Sequence, residues 1–316
     1  MGVIEQDHSS PSRPSEHKDF ERKGLLRIAL VGNCQVDALR GIFDRSIDLA
    51  VTAIADVNMR GTPLFEENVR KIRDGTGFDW VLSQPVSDDF GPISSTVLQK
   101  QFGARFKKFT NVYFSGLHPD LSYFGSFGRR FVSPLGDYHS KVALMCYAKG
   151  IGPDECLLMY RTQTYEALDY FSLYERSAQE LMTRDVSNDI RFSDRFLEFG
   201  RSHLPLYTTN HPSSGCMLLL AKVLAEHLGA NGNQFTHDIF PSPLARSPIW
   251  PIYPEIRAAH GLQYSTDMYF YPGIETARRP MLIEQFVHES YEAYDAVGRD
   301  AFMSIGLAQQ LRDLPI

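Results

Sequence analysis

The stretch from residue 25 to residue 43 limits most what this chain can fold into. Leu25-Leu-Arg-Ile-Ala-Leu-Val31 is a short apolar run that stops at Gly32-Asn33, the pattern of a buried strand meeting a turn. Directly after it Val36, Leu39, Ile42 and Phe43 recur at three- and four-residue spacing, so Gln35 to Phe43 reads as a helix with one apolar face. The unit then repeats. Leu49 to Val57 is a second apolar run, Pro63 to Arg73 a helix with proline in its first turn, and Phe78 to Leu82 a third run ending at Ser83-Gln84-Pro85. A helix over Ser94 to Phe102 and a fourth strand over Asn111 to Phe114, ending at Ser115-Gly116, continue the alternation. Strands separated by helices pair in parallel, which gives an α/β fold with a parallel-sheet, three-layer core.

Beyond Phe131 the period becomes helical. Tyr138 to Lys149, Tyr165 to Met182, Ile190 to Phe199 and Ser213 to Leu228 carry apolar residues at helical intervals, so the half of the chain from about 138 onward is expected to be mostly helical. Between Pro241 and Pro254 five prolines forbid a long helix and imply a loop. Residues 1–24 are rich in Ser, Pro and charge and read as a disordered tail, leaving 25–316 as a single α/β domain.

Several function classes drop out on composition. Acidic residues outnumber basic ones 38 to 32, for a net charge of −6, so no broad basic surface exists to hold nucleic acid. Small anionic ligands need only a local group of donors and stay open. No apolar run approaches the ~20 residues that cross a bilayer, and no secretory signal precedes Leu25, which points to the cytoplasm. The four cysteines, Cys34, Cys146, Cys156 and Cys216, include no C-x-x-C pair; they read as reduced thiols, and no metal site is expected.

Chemistry is concentrated at Gly32-Asn33-Cys34-Gln35. Ligands of open parallel sheets sit beyond the carboxyl ends of the strands, where this turn falls. A thiol at a helix N-terminus meets the positive end of the dipole, which favours thiolate, and the same N–H donors can stabilise an oxyanion. Asn33, Gln35 and, at the end of the third strand, Gln84 add amide donors around Gly32. The alternative is that Cys34, like most free cysteines, is a small buried hydrophobe; Cys146, Cys156 and Cys216, in apolar segments, read that way. A nucleophilic cysteine needs a base. His118 follows the fourth strand in Gly116-Leu117-His118-Pro119-Asp120, and His211 lies in Asn210-His211-Pro212 before a helix with Ser213 or Ser214 as N-cap. His139 opens the helix predicted from Tyr138. Each could equally be a hydrogen-bonded structural residue.

A separate phosphate candidate is Gly125-Ser126-Phe127-Gly128-Arg129-Arg130, where two glycines allow close backbone approach and two arginines supply forked donors. Its alternative is a solvated loop. His139 and Lys141 could join such a cofactor site, and Arg278-Arg279 is a weaker candidate. Neither a G-x-x-x-x-G-K-[ST] loop nor a dinucleotide fingerprint is present.

Taken together, Gly32-Asn33-Cys34-Gln35, Gly116-Leu117-His118-Pro119-Asp120, Tyr138-His139-Ser140 and Asn210-His211-Pro212 resemble the WcbI family of capsular polysaccharide biosynthesis enzymes, over roughly Arg27 to Leu228. The resemblance implies a coenzyme A-binding acetyltransferase that uses acetyl-CoA as co-substrate to modify a sugar of a surface polysaccharide. Cys34 matches that family's active-site cysteine. A looser likeness to SGNH-type esterases and acyltransferases rests on a nucleophile after the first strand. Here Cys34 replaces the serine of the Gly-Asp-Ser block, and no Asp stands three residues before His118 or His211. The core is thus expected to be Rossmann-like or SGNH-like. The expected activity is acyl transfer from CoA to a sugar hydroxyl; the alternatives are a thiol-dependent esterase or deacetylase and a non-catalytic nucleotide- or CoA-binding module.

Overall fold

Every residue from Ile28 to Val31 is fully buried, and the alternation of side chains along this strand divides the molecule into layers. Ile28 and Leu30 face one apolar cluster with Val36, Leu39, Ile42 and Phe43; Ala29 and Val31 face another with Phe65, Val69, Ile72, Leu98 and Phe102. The computed structural model describes residues 24–126, 128–235, 243–264, 266, 268–273 and 279–316. The expected tail lies, but for Gly24, outside the described residues.

The first half is a run of βα units: β1 (Leu26–Gly32), α1 (Gln35–Phe43), β2 (Leu49–Asp56), α2 (Pro63–Asp74), β3 (Trp80–Ser83), α3 (Ser95–Phe102) and β4 (Phe106–Lys108). The strands form a parallel sheet in the order β2-β1-β3-β4, with α1 on one face and α2 and α3 on the other. This is the parallel-sheet α/β core that the alternation predicts. Local chemistry explains the helix ends. Thr62 caps α2 by accepting from the Phe65 N–H, Pro63 occupies its first position, and Gly75 closes it at φ 71.

The fourth strand differs from expectation. It is Phe106–Lys108, whereas Asn111 to Phe114 lies in no strand. Phe-Lys-Lys carries a weak apolar signal because an edge strand needs little burial. Only Phe106 is fully covered, and the Lys107 ammonium sits 5.9 Å from the Trp80 ring.

The second half begins with short antiparallel pairs: β5 (Leu121–Tyr123) with β8 (Tyr138–Ser140), and β6 (Gly125–Ser126) with β7 (Arg129–Arg130). Tyr138 and His139 are therefore in a strand rather than opening a helix. Ser140 is the N-cap of α4 (Lys141–Lys149), accepting from the Ala143 N–H. There follow α5 (Pro153–Leu157), α6 (Thr162–Ala167), α7 (Leu173–Val186), α8 (Ser193–Ser202), β9 (Leu206–Thr208), β10 (His211–Pro212) and α9 (Ser214–His227), which Ser213 caps. The long helix expected over Tyr165 to Met182 is broken at Asp169, whose φ is 56. That break turns Tyr170 into the core, where its hydroxyl donates to buried Asp120 at 2.7 Å. Helices α10 (Pro254–Ala259), α11 (Ile283–Val297), α12 (Arg299–Met303) and α13 (Gly306–Arg312) complete the largely helical second half.

Candidate active site at the carboxyl edge of the sheet

With strand order 2-1-3-4, chain direction across the sheet reverses between β1 and β3, and the crevice beyond their carboxyl ends is where a ligand is expected. Cys34 follows β1 there and Gln84 follows β3. Their neighbours are tied by an amide network. The Gln84 side chain accepts from the Asn33 N–H at 2.9 Å and donates to Gln35 Oε1 at 2.9 Å. Gln35 Nε2 donates to the Val112 carbonyl at 2.7 Å and the Asn210 carbonyl at 3.0 Å, while Gln35 Oε1 accepts from the Val112 N–H. Asn33 reaches Asn111 at 3.2 Å. Gly32 is required for this packing, because a Cβ there would stand 2.4 Å from Gln84 Oε1. Gln35 and Gln84 are fully buried framework groups whose amides are engaged within the protein. The Asn33 and Gln35 backbone N–H groups are engaged too, with Gln84 Oε1 and Asn33 Oδ1, so the donors that the sequence suggested among Asn33, Gln35 and Gln84 reduce to the Cys34 N–H and the Asn33 side-chain amide.

Cys34 is half-buried at the N-cap of α1. Its thiol does not become the thiolate that a helix N-terminus favours. Burial first, then the charge of Asp56, and last that of Asp37, push it up to about 11 against a backbone N–H contribution of opposite sign. Asp56 ends β2 opposite Gly32 in the strand register.

Of the three candidate histidines, His211 is the one whose sequence neighbour, Asn210, is hydrogen-bonded to Gln35, the neighbour of Cys34. His211 is half-buried, its ring packs edge-on to Tyr138 at 6.3 Å, and its buried Nδ1 has no partner among the described residues. Burial holds it down to about 4, so it is a neutral imidazole. Tyr138 also senses Cys34, Tyr123 and Thr208, and is a site residue that the helical reading of its segment concealed. His118 is closed off at 1% exposure; the backbone at Leu206 and Pro251 lies against it without closing a hydrogen bond, and burial holds it down to about 4. His139 is fully buried, with Nδ1 3.1 Å from the Tyr294 hydroxyl and Nε2 3.0 Å from the Phe131 carbonyl. Both of its nitrogens serve the core, which removes it from the cofactor set.

The Gly125 to Arg130 segment is a hairpin, not a backbone cradle. Gly125 has φ 102 because a Cβ would meet the Arg129 carbonyl at 2.6 Å, and Gly128, φ 78, makes the turn. Arg129 is exposed, whereas Arg130 lies on the Tyr123 ring at 3.8 Å and pairs with Asp137 at 2.8 Å. Lys141 points the other way: its ammonium donates to the Pro119 carbonyl at 2.6 Å, 5.6 Å from the Tyr170 ring. Arg130 and Tyr138 instead line a cavity of about 460 Å³, closed on its far side by Pro243, Arg246, Pro248 and Pro272. Arg246 had no motif to announce it. Arg278 lies outside the described residues. Among the described residues no group of three or more His, Cys, Asp or Glu could hold a metal ion.

A family model described as polysaccharide biosynthesis enzyme WcbI matches residues 27–233. This chain belongs to the WcbI family. A solved structure described as native WcbI, a polysaccharide biosynthesis enzyme, without a disulfide bond between coenzyme A and one of its cysteines, is similar at 17% identity, with a TM-score of 0.70 over 91% of this chain and 94% of that one. No curated protein matches the chain. The region shared with the WcbI family contains Cys34, Arg130, Tyr138 and His211, whereas Arg246 and the prolines of the far wall lie beyond it. No helix among the described residues of this WcbI-family chain is long and apolar enough to cross a membrane.

Proposed function

We propose that this protein is a coenzyme A-dependent acyltransferase that moves an acetyl group from acetyl-CoA to a hydroxyl on a sugar of a capsular or other surface polysaccharide. The observation that supports the reading is the Gln35–Asn210 bond, which links the residues next to Cys34 and His211; Tyr138, edge-on to the His211 ring, also lines the cavity that holds Arg130 and Arg246. Asp137, on the same lining, pairs with Arg130 at 2.8 Å; Arg246 with the remaining donors of Arg130 suits the phosphates of CoA, and the prolines suit its apolar parts. Solved WcbI, in its own description, is discussed together with coenzyme A, which agrees with this choice of donor. Residues 25–316 would act as one domain, in the cytoplasm, where acetyl-CoA is at hand.

Cys34 can serve in two ways. In the first, His211 takes the thiol proton as Sγ attacks the thioester carbonyl; the CoA thiolate leaves with that proton, and the sugar hydroxyl then displaces Cys34 from the acyl-enzyme. In the second, Cys34 stays a thiol beside the thioester carbonyl while His211 takes the proton of the sugar hydroxyl as its oxygen attacks that carbonyl; the C–S bond breaks and the CoA thiolate leaves with that proton. In both, the Cys34 N–H would face the oxyanion, a type of contact whose removal costs ~3 kcal/mol or more.

The test has two stages. Saturating CoA should raise the melting temperature by several degrees, since a ligand at one hundred times its Kd adds ~2.7 kcal/mol, and Arg130→Ala together with Arg246→Ala should abolish most of that rise. Transfer from radiolabelled acetyl-CoA to a glycan should fall by orders of magnitude in both Cys34→Ala and Cys34→Ser; label retained on Cys34 without acceptor identifies the first route. No melting shift, or release of acetate from an acetylated glycan without CoA, would overturn the proposal.

A further inference from the structure

A second cavity, of about 600 Å³, runs along the free edge of β2 between α1 and α2. Its chemistry is opposite to that of the arginine-walled one. Asp37, Asp44 and Asp56 line it with a single cation, Arg40, and that guanidinium is already held by Asp37 at 3.6 Å and Asp44 at 3.3 Å. Asn68 also faces it. This side chain is nine-tenths buried and its amide nitrogen donates to the Leu64 carbonyl, which leaves the amide oxygen as an acceptor towards the cavity. Thr52 and Thr62 add hydroxyls, so the charged part of the lining is carboxylate in excess over guanidinium. The apolar part of the lining is Phe65 with Met59 and Leu64, the last two exposed at 47% and 63% on the rim.

A ligand that satisfies this surface offers several hydroxyl or ammonium donors on one side and C–H surface on the other, and carries no negative charge. A pyranose has that character, and the cavity has room for it. The cavity also adjoins the reacting thiol, because Asp37 lies in the first turn of the helix that Cys34 caps and Asp56 faces Gly32 across β1 and β2. We propose that this cavity is the acceptor subsite, taking a neutral or amino sugar and rejecting uronates and other anionic sugars. The inference rests on the acyltransferase reading, and it sorts the two substrates by charge: the polyanionic donor against Arg130 and Arg246, the acceptor against Asp44 and Asp56.

The test is binding of three probes, the methyl glycosides of glucose, glucosamine and glucuronic acid, to the full chain without CoA, read by saturation-transfer NMR. The glucoside and glucosaminide should bind about tenfold or more tightly than the glucuronide. Asp44→Lys places a cation in the lining, and that gap should then close. Asp44 is half-exposed at the C-cap of α1, where lysine complements the helix dipole, and it is not among the groups that raise Cys34, so the variant should fold with an unchanged thiol. Equal binding of the glucuronide, an unaltered ratio in Asp44→Lys, or no binding of any probe at tens of millimolar would overturn the proposal. So would a dimer of the chain that Asp44→Lys dissociates, which would make the β2 edge a protein interface. Transfer is scored separately: glycoside binding without acetyl transfer keeps the subsite and sinks the transferase, and transfer without charge discrimination does the reverse.

Discussion

Raising the thiol of Cys34 to about 11 has a consequence that alkylation reads directly. Near pH 7.5 such a thiol is ionised to ~0.03%, against ~9% for a cysteine of ordinary pKa near 8.5, a ratio of ~300. The more basic thiolate is intrinsically the better nucleophile by ~10-fold over that interval, since nucleophilicity rises with a slope near 0.4–0.5. Iodoacetamide should therefore modify Cys34 ~30-fold more slowly than a free cysteine near neutrality, and the rate should climb about tenfold per pH unit without a plateau before about pH 10. Cys146, Cys156 and Cys216 are fully buried, so labelling of the native chain, followed by mass spectrometry of the Cys34 peptide, reports one site. Asp56→Asn removes the larger of the two carboxylate contributions and should move the whole profile to lower pH. A plateau below about pH 9 in the wild-type chain would refute the argument, because the helix dipole would then outweigh burial and the two aspartates.

Two further outcomes follow from the same structure. His118, His139 and His211 are each held near 4 by burial against an ordinary value of 6.5; their contribution to stability is complete above pH 6.5 and is lost as pH falls towards 4. By about pH 5 each costs ~2 kcal/mol, so the urea midpoint should drop steeply between pH 7 and 5, and a flat midpoint would show these imidazoles to be protonated or exposed. Gln35→Leu removes every partner of the Gln35 amide, stranding buried groups on Gln84, Val112 and Asn210 at ~1–3 kcal/mol each. The loss should reach ~4 kcal/mol in denaturant titration, and Gln35→Glu, which turns a carboxylate oxygen on the two carbonyls, should be at least as harmful; a loss below ~1 kcal/mol would dismiss the network as a framework.

The alternation of apolar runs and helical spacing made the first half readable almost residue by residue, because buried parallel strands and one-faced helices leave strong, distinct periods. Helix α1 falls on Gln35–Phe43 and β3 within two residues of its predicted bounds. The signal failed where tertiary contacts replace local pattern. Lys107 and Lys108 hide an edge strand, the Asp169 break exists to bring Tyr170 to Asp120, and β8 owes its shape to pairing with β5. The place of Cys34 at the carboxyl end of β1 was legible from its turn, but its protonation was not, since Asp56 arrives from a different strand. Tyr138 and Arg246 were hidden for the same reason, being site residues only through contacts made across the fold.

Neutral groups hold this site in shape. Gln35, Gln84, Asn33, Asn111 and Asn210 join the ends of β1 and β3 to the loop before β10 through amides alone, so the framework has no group that titrates and its geometry is independent of pH. The proposed pair of Cys34 and His211 begins uncharged as well, a thiol near 11 and an imidazole near 4. Moving a proton from one to the other across that interval would cost ~9 kcal/mol if the charges were far apart, and the attraction of opposite charges lowers that cost. The balance is too unfavourable for a standing ion pair and small enough to be met within a catalytic barrier. On the acyltransferase reading this is a useful resting state. A preformed thiolate would meet oxidants between turnovers, whereas on that reading charge is created only with the thioester carbonyl in place, where the Cys34 N–H can share it.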